Sequence, residues 1–184
     1  KIMSDHDFSP SLPPEETWQD QVLNVLKDHG VSLISYVPDA GHAAAIRGAI
    51  ADPDIEAVSL TTEEEGIAVN AGAWLGGRRA ALLMQSSGVG NCINMLSLIQ
   101  ICRFPFLTIV TMRGEWNEFN PWQVPMGAST PAAFELMGVR VLRADSADDV
   151  APTIASAANL AFLASIPCAV LISQRVIGSK VWTK

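Results

Sequence analysis

Residues 61–94 read TTEEEGIAVNAGAWLGGRRAALLMQSSGVGNCIN, and this stretch decides the fold. Three acids follow two threonines and open a segment of small and apolar residues, which predicts a helix over 63–75. Gly76 and Gly77 end it, and the apolar run 79–85 then reads as a strand buried on both faces. The polar turn Ser86-Ser87-Gly88-Val89-Gly90-Asn91 leads from that strand into a further helix expected over 91–102. Helix, buried strand, glycine turn and helix in succession is the pattern of a parallel sheet covered by helices.

The same alternation extends outward in both directions. Upstream, Trp18, Val22, Val25 and Leu26 share one helical face after Pro13-Pro14, and Gly30 ends that helix. Strands are expected over 31–37 and 55–60, with a short Ala-rich helix over 41–50 between them. Downstream, 106–112 is an apolar, β-branched strand, and 113–130 has no clear period and reads as a long loop. A short helix from Pro131 to 137, a strand over 139–142, a helix over 147–164 and a strand over 168–173 complete the chain. The expected fold class is α/β, a three-layer α/β/α domain with a six-stranded parallel sheet. Residues 1–12 lack periodicity and read as a flexible arm before a single domain spanning 13–184.

Composition narrows the function classes. Of 184 residues 49% are hydrophobic and 17% charged, a balance expected of a sheet covered on both faces or of a surface sealed against partners. The net charge of -7, with only 12 Lys and Arg, argues against nucleic acid. No uninterrupted apolar run of about 18 residues is present, so no membrane span is expected. The polar, acidic start carries no signal-peptide pattern, and a cytoplasmic protein is expected. Cys92, Cys102 and Cys168 are scattered without metal-ligand spacing, and buried free thiols are expected.

In such sheets ligands bind beyond the carboxyl ends of the strands. Residues 38–42, 61–65, 85–91 and 113–123 emerge there. Glu63, Glu64 and Glu65 either complement the helix dipole, with Thr62 and Glu65 at capping-box spacing, or include a catalytic acid. The glycines of SSGVGN either admit a ligand close to the backbone or serve tight packing. Arg113 either clamps an anionic substrate or pairs with Glu115 or Glu118. Trp116, Phe119 and Trp122 are expected to form a lid or a subunit contact, and His42 stands at the ligand edge. Ala68, Ala71, Gly72 and Ala73 give the 63–75 helix a smooth face suited to a twin helix from another subunit.

As a set these motifs are familiar. Thr62-Glu63, Gly72 nine residues on, the Gly76-Gly77-Arg78 turn, the apolar strand and SSGVGN resemble the pyrimidine-binding domain of thiamine diphosphate-dependent 2-oxoacid decarboxylases. EEEGIAVNAGAWLGG, ALLMQSSGVGN and PFLTIVTMRGEWNE are similar to the alpha subunits of sulfopyruvate decarboxylases, with phosphonopyruvate decarboxylases the next resemblance. The register from Gly72 then places the family's catalytic glutamate on Glu63, which contacts the cofactor's aminopyrimidine ring nitrogen. The resemblance further implies that Ser86, Ser87, Gly88, Gly90 and Asn91 contact thiamine diphosphate, and that a small acidic 2-oxoacid is decarboxylated. Asp39, His42, Arg113 and Gln123 are the substrate-handling candidates.

The family's diphosphate and Mg2+ are held by a GDG motif that this sequence lacks. The resemblance therefore implies half an active site, completed by a diphosphate-binding beta subunit that holds Mg2+, together with a homo-oligomer through the 63–75 helix. The alternatives are a non-catalytic scaffold or regulatory subunit that keeps the fold, and a decarboxylase for phosphonopyruvate or another 2-oxoacid.

Overall fold

A computed structural model describes residues 17–179, and the arm expected over 1–12 lies outside the described residues. Helix α1 (Trp18–Asp28) starts at a capping box: the Asp20 N–H donates to the Thr17 hydroxyl, and the Thr17 N–H donates to the Asp20 carboxylate. Its stripe of Val22, Leu23 and Leu26 is buried. Six strands follow: β1 (Val31–Tyr36), β2 (Glu56–Ser59), β3 (Arg79–Gln85), β4 (Leu107–Thr111), β5 (Arg140–Ala144) and β6 (Cys168–Ile172). They form one sheet of order β2-β1-β3-β4-β6-β5, with every neighbouring pair parallel.

The two-residue period of a strand divides the core between two faces. Ala81 and Leu83 of β3, Ile109 of β4, and Val170 and Ile172 of β6 pack against α1, α2 (Ala43–Ala51) and α7 (Ala147–Ala164). Leu82 and Met84, Val110, and Ala169 and Leu171 point the other way, against α3 (Glu63–Leu75), α4 (Ser86–Cys92), α5 (Ser97–Cys102) and α6 (Val124–Leu136). This is the expected three-layer α/β/α arrangement, and the bounds of α3, β3 and α7 are those read from the sequence.

The helix expected over 91–102 is broken by a turn over 93–96, and two further segments depart from that reading. The turn over 86–91 is helical, because α4 begins directly at the end of β3. Serine and glycine are poor helix formers, yet packing overrides propensity here. Ser86, Gly88, Val89 and Cys92 are all buried between the sheet, α3 and α6. The loop expected over 113–130 is also shorter: a 3-10 turn (Pro121–Gln123) runs straight into α6. Pro125 lies in the first turn, where its missing N–H is no loss. Pro131 sits inside α6 rather than at its start, while Gly127, Thr130 and Phe134 form the buried stripe of that helix. Gly127 rides directly on β4's outgoing chain, since a Cβ there would stand 2.0 Å from the Arg113 carbonyl oxygen.

Cys92 and Cys168 are buried free thiols, and burial pushes them up to about 12 and about 11. Cys102 is free but exposed, contrary to expectation, because it ends α5 on its outer side. Among the described residues no helix is long and apolar enough to cross a membrane. The strand order reverses twice, around β1 and around β6, and polar side chains collect at both reversals.

Candidate active site

The three acids opening α3 do three different things. Glu65 accepts the Thr61 backbone N–H at 2.8 Å. Glu64 accepts the Thr62 hydroxyl, which holds its carboxyl below the ordinary value. Both therefore serve the helix's own first turn, and the Thr62 side chain caps nothing. Glu63 alone leaves that turn: Asn91 Nδ2 of α4 donates to its Oε2 at 2.9 Å. The Glu63 carboxyl also lies against Gly88, where a Cβ would stand 2.2 Å from its Cδ. Gly88 is thus required by space rather than by backbone conformation.

Helix α4 links Glu63 to an open cleft of about 780 Å³. Ser87 and Asn91, one helical turn apart, form one wall, and Pro121, Trp122, Pro125, Met126 and Ser129 form the other. Trp122 is 84% exposed, so the apolar wall stands open to solvent. Gly90 is exposed and faces Met126 Sδ, at 3.0 Å from a would-be Cβ. Ser86 is turned away from the cleft: its hydroxyl is buried and accepts the Arg113 N–H at 3.0 Å. Of the residues implied to contact the cofactor, Ser87, Gly88, Gly90 and Asn91 surround one region with Glu63, while Ser86 anchors α4 from behind.

Asp39, at the reversal around β1, is the acceptor of a small network. Its Oδ2 receives the Thr111 hydroxyl at 2.6 Å and the Gly41 N–H at 3.1 Å, and its Oδ1 receives Gln85 Nε2 at 3.0 Å. Gln85 Oε1 in turn accepts the Ser87 hydroxyl at 2.9 Å. His42 is 1% exposed, with Nε2 lying 3.1 Å from the Ile109 carbonyl and 3.3 Å from that of Met84. Burial pushes its pKa down, and the ring is not among the residues lining the cleft.

Arg113 takes the second of its two sequence readings. Its guanidinium donates to both oxygens of Glu118, at 2.6 and 2.5 Å, and both side chains are under a tenth exposed. Glu118 also accepts from the Gly114 and Asn120 N–H groups and from Gln174 Nε2 of α8 (Gln174–Ile177). Arg113 is therefore committed internally rather than offered to an anionic substrate. Arg143 donates to Glu115 and Asp145, extending the network to the end of β5. Trp116 lies under the Arg175 guanidinium and Phe119 under that of Arg113. The Gln123 side-chain oxygen is buried without a hydrogen-bond partner among the described residues, and its backbone carbonyl abuts Gly114. Among the described residues no cluster of three or more His, Cys, Asp or Glu could hold a metal.

Sequence reasoning passed over Gln85, Thr111 and Gln174. Gln85 and Thr111 are the polar last residues of β3 and β4, and Gln174 opens α8 just past β6; a polar residue at the carboxyl end of the sheet is the signal they carried.

No family model matches the sequence. The chain is 36% identical over 152 residues to sulfopyruvate decarboxylase subunit alpha of Methanococcus maripaludis, covering 82% of this chain and 91% of that one. The chain belongs to the sulfopyruvate decarboxylase alpha-subunit family. A second member of the family, from Methanocaldococcus jannaschii, is 32% identical over 82% of this chain and 89% of its own. Beyond the family, phosphonopyruvate decarboxylase of Streptomyces viridochromogenes is 32% identical over 82% of this chain, which spans 39% of that protein. In fold, the chain is similar to 2-oxoglutarate:ferredoxin oxidoreductase from Magnetococcus marinus, at a TM-score of 0.68 and 16% identity over 96% of this chain and 33% of that one. A Mycobacterium smegmatis protein assigned to the thiamin diphosphate-dependent enzymes has a TM-score of 0.67 at 16% identity, over 92% of this chain and 34% of that one.

Proposed function

We propose that this chain is the alpha subunit of a split, thiamine diphosphate-dependent decarboxylase that converts sulfopyruvate to sulfoacetaldehyde and carbon dioxide. The observation that carries the reading is the separation of the three acids: Glu63 alone crosses to α4, with Asn91 on one oxygen and bare Gly88 beneath it. Membership of the family supports the substrate class.

The residues present fit an aminopyrimidine. A carboxyl with Oε2 held by Asn91 and Oε1 against Gly88 adjoins, through α4, a cleft whose far wall is largely apolar. When bound, thiamine diphosphate supplies the electron sink for the pair left behind as carbon dioxide departs. Glu63 would be the residue that meets the ring nitrogen. Asn91, donating to Oε2, fixes the orientation of the Glu63 carboxyl. Gly88, Gly90 and Asn91 bring α4 close to the ring, Ser87 presents its hydroxyl from the cleft wall, and Ser86 holds α4 against β4. The beta subunit supplies the diphosphate and Mg2+ sites. The outer face of α3, where Gly72 looks onto open space and Trp74 and Leu75 are exposed, meets another subunit.

The direct test is carbon dioxide release by this chain reconstituted with its beta subunit, thiamine diphosphate and Mg2+. Release from sulfopyruvate in preference to phosphonopyruvate and pyruvate is the expected result, and no release from any of them overturns the reading. Gly88→Ala gives a second check. Its Cβ can be accommodated only by moving the Glu63 side chain, so kcat should fall by about 10- to 100-fold. The melting temperature should move by only a few degrees, since the displaced atoms belong to a flexible side chain.

A further inference from the structure

Four backbone N–H groups of the loop after β4 converge on two side chains. Glu118 accepts those of Gly114 and Asn120, at 3.2 and 3.0 Å, and Gln174 Oε1 accepts those of Glu115 and Trp116, both at 3.1 Å. The two side chains hold each other, since Gln174 Nε2 donates to Glu118 Oε2 at 2.8 Å. Both are buried. Residues 113–120 form neither strand nor helix, so this hub does for their amides what a ladder does elsewhere.

Glu118 belongs to the loop, whereas Gln174 reaches it from the end of β6, and its own N–H donates to the Glu115 carboxylate at 2.9 Å. The hub continues to the cleft. Asn120, held by Glu118, accepts the Trp122 N–H at 3.2 Å, and Gly114 leaves no room for a methyl group against the Gln123 carbonyl. Pro121, Trp122, Pro125 and Met126 of the apolar wall therefore stand where the hub puts them. Glu63 and Asn91 stand apart from it on α3 and α4, bonded to each other.

We propose that Gln174 is a positioning residue that sets the apolar wall of the cleft from the end of β6, and through that wall the affinity for the 2-oxoacid. This rests on the decarboxylase reading above. Loss of a wall that grips ground state and transition state alike raises KM and leaves kcat in place.

Gln174→Ala removes the hub's outer half. In the reconstituted pair, hydrogen exchange of the Glu115 and Trp116 amides, followed by mass spectrometry of peptides over 113–124, should quicken about tenfold or more. KM for sulfopyruvate should rise about tenfold, the scale of one hydrogen bond, with kcat within about threefold of the wild type.

Gln174→Glu keeps both acceptor bonds but brings no proton for Glu118, so two carboxylates face each other. Glu118, Glu115 and burial raise the pKa of the new group, and Arg113 on Glu118 lowers it; Arg143 of β5 is held on Glu115, and Arg175 lies over Trp116. As pH falls the pair takes up one proton, which restores the bond to Glu118. Relative to the wild type, KM of Gln174→Glu should be raised about tenfold at about pH 8 and return to within about threefold at about pH 5, while KM of Gln174→Ala stays raised at both.

A role confined to stability would lower the melting temperature and quicken exchange without moving KM in either variant, and that result overturns the proposal. A raised KM in Gln174→Glu that ignores pH overturns it as well. If Gln174→Ala does not assemble, Gln174→Glu carries the test, because its protonated form has every bond of the native hub. Release of carbon dioxide by the wild type with KM unchanged in the variants removes the positioning role and leaves the decarboxylase reading standing. No release by the wild-type pair removes both.

Discussion

Glu63→Gln should lower kcat of the reconstituted pair for sulfopyruvate by about 10²–10⁴-fold, the range associated with removing a positioned acid or base. The amide keeps the shape and can still accept from Asn91, so the melting temperature should stay close to that of the wild type. The comparison that gives this result meaning is with its neighbours. Glu64→Gln and Glu65→Gln disturb only the first turn of α3, through Thr62 and Thr61, and should remain within a few-fold of wild-type activity. A dead Glu64 or Glu65 variant beside an active Glu63→Gln would reassign the chemistry and would mean that α3 turns about its axis when the pair assembles.

The second large effect is on stability. Glu118→Gln leaves the Arg113 guanidinium buried without a counter-charge, and breaking one side of a buried pair costs about 3–5 kcal/mol. For a chain of this size the loss should lower the melting temperature on the order of 10 °C. The penalty should also depend on pH. The Arg113 guanidinium, with the Asn120, Gln174 and Gly114 donors, holds Glu118 well below the usual carboxylate range, at about 2.

Its unfolded value is about 4.3, so the unfolded chain takes up the proton first as pH falls. The stabilisation from Glu118 is therefore complete above about pH 4.3 and lost progressively as pH falls toward about 2. Urea midpoints at pH 7, 4 and 3 should show wild type and Glu118→Gln converging as the pH falls. A gap that stays constant would show that the charge on Glu118 is not what holds the loop.

How much of this was legible in the sequence depends on whether the deciding forces are local. The bounds of α3 and β3 could be read because an acid start, a Gly-Gly stop and an unbroken apolar run are written into consecutive residues. The helicity of 86–92 could not, because its serines and glycines favour a turn and only burial against α3 and α6 makes them helical. Pro131 misled for a related reason: proline marks helix starts more often than interiors, and α6 is held by Gly127, Thr130 and Phe134 in spite of it.

The strand order was beyond reach, since periodicity says which face a residue covers and nothing about which strand lies alongside. At the site, the choice between Glu115 and Glu118 as the partner of Arg113 required the fold, because both lie within a few residues and only one is buried with it. Gln85 escaped notice because its partners, Asp39 and Ser87, are brought to it by the fold and leave no spacing to recognise.

Gly127 has a meaning beyond packing. Helix α6 carries Met126 and Ser129 on the cleft wall, and it rests on the chain leaving β4 through a glycine with no room for a methyl group. The gap between the two walls is therefore gauged at a position that lines neither of them. A chain with alanine at 127 would have to hold α6 farther from the sheet, like a shim under one jaw of a vice. Cleft width could then drift among relatives while every residue facing the ligand stayed the same, so identical linings need not admit identical acids.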